Sequence, residues 1–70
     1  MPINFTELKI RVQKVIDSIV AKEQKATDLR LTEARELLEE LTDFADNDED
    51  LIELSRYRIL LDQLEQKNGQ

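Results

Sequence analysis

Apolar residues recur along most of this chain at intervals of three and four, the spacing that gathers side chains on one side of an α-helix. At about 100° per residue, Phe5, Leu8, Val12, Val15, Ile16, Ile19 and Val20 share one face, while Lys9, Gln13, Lys14, Asp17 and Ser18 lie elsewhere and Ile10 points away. A second stripe, Leu31, Ala34, Leu37, Leu38, Leu41, Phe44 and Ala45, is opposed by Glu33, Glu36, Glu39, Glu40 and Asp43. A third holds Leu54, Tyr57, Leu60, Leu61 and Leu64, with Leu51 at its edge. The pattern predicts helices over about 5–25, 29–45 and 48–67.

Local signals punctuate these stretches. Asn4 is placed to cap the first helix, Glu7 to reach back as in a capping box, and Ile3 and Leu8 to form a hydrophobic staple, so the helix is expected to begin at Phe5. In residues 22–30 only Ala26 and Leu29 are apolar, and Thr27 and Asp28 favour a cap over a helix interior, which puts a break near Ala26 to Asp28. No Gly or Pro enforces that break. Read without it, residues 5–45 form one rod of roughly 60 Å at 1.5 Å per residue. Asn68 and Gly69 suit the end of the last helix. That helix also carries Ile52 and Ile59, seven residues apart and well away from its main face, so it has two neighbours to satisfy.

The fold class that follows is all-α: a small three-helix bundle, or a helical hairpin with one long helix, spanning residues 1–70 as a single domain and completed by dimerisation. The need for a second chain comes from size. Seventy residues bury only about 60% of the surface that the unfolded chain exposes. With no Cys and no His, neither a disulfide nor the commonest zinc ligands can supplement the core. Ile10, Ile52 and Ile59 are the expected dimer contact.

Charge narrows the partners. The net charge is -6, and between Glu33 and Glu53 Arg35 is the lone cation among ten acids. Such a stretch repels phosphate backbones, so direct nucleic-acid binding is not expected. A basic protein partner could be drawn to Glu33, Glu36, Glu39, Glu40, Asp43, Asp46, Asp48, Glu49 and Asp50. No apolar run approaches the roughly 20 residues that cross a bilayer, and "MPINFTELKI" lacks the basic start and apolar stretch of a signal peptide. No membrane association is expected, and the chain is placed in the cytoplasm.

The acidic knot "DNDEDL" puts Asp46, Asp48 and Asp50 at positions 1, 3 and 5 of a calcium loop. Such a loop then needs Gly at position 6 and a bidentate Glu at position 12, where this chain has Leu51 and Tyr57. The knot reads instead as a turn and a helix start, its carboxylates meeting unpaired backbone N–H groups and the positive end of the helix dipole. No metal and no cofactor are expected.

Catalysis lacks its usual groups, because without His or Cys a Ser nucleophile would need Lys or a carboxylate as base. Glu36 and Glu40 have the spacing of half a di-metal helix site, but they face away from the apolar side. The stretch "LIELSRYRILLDQL" resembles in rhythm the second helix of the short bacterial phosphatases that act on response regulators in sporulation. Their signature, Ser-Gln-Glu-Leu-Asp, is met here by Ser-Arg-Tyr-Arg-Ile from Ser55, so the resemblance assigns no functional residue. Two readings of function remain: a small helical protein–protein interaction module or assembly component without catalytic activity, acting through Ile10, Ile52 and Ile59, or an acidic inhibitor that imitates nucleic acid to a basic groove.

Overall fold

The computed structural model describes residues 3–68 and places in them three helices, α1 (Thr6–Val20), α2 (Gln24–Phe44) and α3 (Asp48–Asn68). Asn4 fixes the first start: its Oδ1 accepts the Thr6 N–H at 2.8 Å. Glu7 does not reach back. It bonds Arg11 one turn on, with Nε donating to Oε1 at 3.2 Å, and α1 opens one residue later than Phe5.

The end of α1 departs further from the sequence reading. The chain breaks at residues 21–23, not at Ala26 to Asp28, and α1 and α2 fold back on each other instead of running on as one rod. Lys22 adopts a left-handed conformation, with φ 58°. The Glu23 N–H donates to the Ser18 carbonyl and the Lys22 N–H to the Ile19 carbonyl, both at 3.0 Å, the two bonds of a Schellman C-cap. Glycine usually occupies that position, and Lys hid it. Thr27, which looked like a cap, is fully buried inside α2. Its Oγ1 donates to the Glu23 carbonyl at 3.0 Å, the back-bond that satisfies a hydroxyl within a helix.

A β-carbon in the left-handed region costs about 1–2 kcal/mol. Lys22→Gly is therefore expected to stabilise the chain by about 1 kcal/mol after the entropy that Gly adds to the unfolded state, raising Tm by roughly 4–8 °C. Thermal melting followed by circular dichroism checks this. A variant melting at or below the wild type would show that Lys22 stores no strain.

The second connection runs through residues 45–47. Asn47 Oδ1 accepts the Asp50 N–H at 2.9 Å, which caps the start of α3, and Asn47 Nδ2 donates to Asp50 Oδ2 at 3.0 Å, which holds the capping amide in place. Asp48, Glu49 and Asp50 then occupy its first turn.

Pairings between helices set their directions. Gln24 and Asp28 meet Asn68, and Arg35 meets Asp62 and Glu65, so α3 runs antiparallel to α2. Arg11 Nη1 donates to the Glu33 carbonyl at 2.9 Å, tying α1 to α2. The bundle measures 37 × 17 × 14 Å. Each helix gives three residues to the core: Leu8, Val12 and Val15; Leu31, Ala34 and Leu38; Leu54, Leu61 and Leu64. The rings of Phe5 and Tyr57 stack at 6.0 Å. Ser18, expected off the apolar face, is buried, its Oγ donating to the Val15 carbonyl at 2.9 Å. Val20 and Phe44, expected on it, are 77% and 76% exposed. Each is the last residue of its helix, where the neighbouring helix gives least cover.

Burial, and behind it Glu53, raises the Tyr57 phenol above its ordinary 10.0. The fold thus favours the neutral phenol: this stabilisation is complete below pH 10.0 and is lost as pH rises through the raised value. Because Tyr57 is the chain's single tyrosine, phenolate absorbance reads it alone. The folded chain is expected to titrate at higher pH than the urea-unfolded chain, and superimposable curves would contradict this.

Candidate functional site

The surfaces open to a partner follow from which faces the bundle leaves over. On α3 the buried Leu54, Leu61 and Leu64 lie on one side, and at about 100° per residue Ile52 and Ile59 fall nearly opposite them. They are 56% and 58% exposed, two turns apart on one outward face. Leu51, at 41%, stands on the flank of the same helix. Ile10, at 45%, lies opposite Leu8, Val12 and Val15 on α1. The fold therefore unites Ile52 and Ile59 in one stripe and leaves Ile10 on a different helix.

The acidic surface centres on the α2–α3 connection. From Glu36 to Asp50 there are eight acids and no base. The cations that form ion pairs spend them elsewhere: Arg11 on Glu7, Arg30 on Glu33, Arg35 on Asp62 and Glu65, Arg56 on Glu53. Arg35 holds its two partners at 2.8 and 2.9 Å, and the hydrogen bond that it donates to Asp62 raises the guanidinium pKa above its usual value. Among the described residues Glu33 is the one member of the predicted partner surface that is engaged in an ion pair. Among the described residues Glu36, Glu39, Glu40, Asp43, Asp46, Asp48 and Glu49 take part in no ion pair and no side-chain hydrogen bond between residues, and all are exposed. Asp50 is half-buried, and its carboxylate accepts from the Asn47 side-chain amide. Phe44 stands exposed among these carboxylates, a neighbour that the sequence reading had assigned to the core.

Concavities are shallow. A cleft of about 360 Å³ opens where the α1–α2 turn meets the end of α3, lined by Ser18, Lys22, Gln24, Thr27, Lys67 and Asn68. The buried hydroxyls there are already bonded to backbone carbonyls of their own helices. A smaller groove of about 120 Å³ lies between α2 and α3, where exposed Ser55 has Thr42 and Arg58 as polar neighbours, neither of them a base. Among the described residues no three acidic side chains converge to hold a metal ion, and no helix is long and apolar enough to cross a membrane. Comparison with known protein families, with curated proteins and with solved structures finds no match.

Proposed function

We propose that this chain is a small acidic helical protein–protein interaction module or assembly component without catalytic activity, and that it acts as a homodimer through the outward face of α3. The observation that carries this reading is the exposure of Ile52 and Ile59, more than half of each, on one outward stripe of α3. Each Ile contributes about 1.5–3 kcal/mol when removed from water. Two per chain, joined by their flanking contacts, can offset the cost of association. Sedimentation of the wild-type chain over a range of concentrations tests it. A mass that rises to that of two chains supports the dimer, and a monomer at the highest concentration defeats it.

A second reading draws on a separate observation, the unpaired carboxylates around Glu36 to Glu49. Charges that find no partner in their own fold are available to a basic groove, in the manner of an inhibitor that imitates nucleic acid. Replacing Glu36, Glu39, Glu40 and Asp43 by Gln is then expected to abolish low-salt capture of basic proteins from the native host and to flatten its salt dependence, with helicity unchanged. Equal capture by wild type and variant would rule this surface out.

A further inference from the structure

Asn68 is the last residue of α3, and it precedes the chain's single glycine. The other two asparagines precede Phe5 and Asp48. Its side-chain Nδ2 donates to Asp28 Oδ1 at 2.8 Å, and its carbonyl accepts from Gln24 Nε2 at 3.0 Å. Both partners lie in the first turns of α2, so these two bonds fasten the end of α3 to the start of α2 at the mouth of the larger cleft.

An asparagine followed by glycine is the sequence most open to spontaneous deamidation, because no β-carbon on the second residue hinders its backbone nitrogen. That nitrogen attacks the asparagine side-chain carbonyl carbon, a C–N bond forms, and ammonia leaves to give a cyclic succinimide. Water then opens the ring at either carbonyl, yielding aspartate or isoaspartate. The net change is consumption of one water and release of one ammonia, with no oxidant or reductant.

We propose that Asn68 is a deamidation site restrained by its contacts with Asp28 and Gln24, and that its conversion unfastens the end of α3 from α2. The restraint is geometric: the attack requires the side-chain amide to swing onto the following nitrogen, and the bond to Asp28 holds that amide in place. The unfastening is electrostatic. A donor to the Asp28 carboxylate becomes a second carboxylate, so attraction at hydrogen-bond distance becomes repulsion. Isoaspartate instead carries the chain through the former side-chain carbonyl, lengthens the backbone by a methylene and turns the main-chain carbonyl that Gln24 holds into the free carboxylate. The modification is irreversible, adds one negative charge, and acts where these two hydrogen bonds fasten the helix ends.

Peptide mapping of the full chain, aged at body temperature and mildly alkaline pH, tests the site. Aspartate and isoaspartate are expected to accumulate at position 68 while Asn4 and Asn47 persist, several-fold faster in the Gln24→Ala, Asp28→Ala variant, and very slowly in Gly69→Ala. Hydrogen exchange on Asn68→Asp is expected to show faster exchange in the last turn of α3 and the first turn of α2, with the core unchanged. Conversion at Asn68 no faster than at Asn47, equal rates in the Gln24→Ala, Asp28→Ala variant, or wild-type exchange in Asn68→Asp would each overturn the proposal.

Discussion

Replacing Ile52 and Ile59 together by Asp is expected to convert the proposed dimer into a folded monomer. Both side chains are more than half exposed and stand on the side of α3 away from Leu54, Leu61 and Leu64, so the bundle itself loses little. Asp in a helix interior costs about 0.5 kcal/mol relative to better helix formers, and exposed substitutions outside special features usually stay within about 0.5 kcal/mol. The dimer loses far more: four isoleucines leave the interface at about 1.5–3 kcal/mol each, and four carboxylates are brought close together. Sedimentation should show the mass of one chain, with the helical circular dichroism signal kept. A variant that unfolds would place these residues in the core, against their exposure. A variant that still dimerises would place the interface elsewhere.

The largest loss of stability is expected from Leu61→Ala. Leu61 is fully buried, with Leu8, Val15 and Ala34 equally excluded from solvent on the other two helices. Truncating a buried Leu costs about 2–5 kcal/mol, transfer and cavity together. At roughly 0.05–0.15 kcal/mol per residue, a chain of 70 residues has a total stability of about 4–10 kcal/mol, so one such change removes a large part of it. Tm should fall by at least about 8 °C, at 4–8 °C per kcal/mol for a domain of this size. A shift of only a few degrees would mean that the three-helix core is not packed around Leu61.

The all-helical, three-helix architecture could be read from the sequence because its apolar periodicity survives folding: all nine residues of the core lie on the predicted faces. The acidic knot was legible as a turn and a helix start, since Asp48, Glu49 and Asp50 occupy the first turn of α3, but the Asp50 N–H is met by the Asn47 amide oxygen and not by a carboxylate. The first break was misplaced for a physical reason. Its signal was a left-handed residue at Lys22, and a left-handed Lys leaves no mark in composition, whereas Thr27 and Asp28 suggested a cap that backbone geometry had already provided five residues earlier. Ser18 and Thr27 were missed as buried residues because their hydroxyls find carbonyls within their own helix, which periodicity cannot show. On the surface, Ile52 and Ile59 were recognisable from their spacing. The separation of Ile10 from them, and the engagement of Glu33 by Arg30, depend on how the helices are arranged and needed the fold.

The contact that defines the proposed dimer can be observed directly by isotope-filtered NOE spectroscopy on a mixture of labelled and unlabelled wild-type chains. Intermolecular NOEs to the methyl groups of Ile52 and Ile59, with none to Leu61, are the predicted result. A concentrated mixture in which those two methyls show NOEs only within their own chain would contradict it.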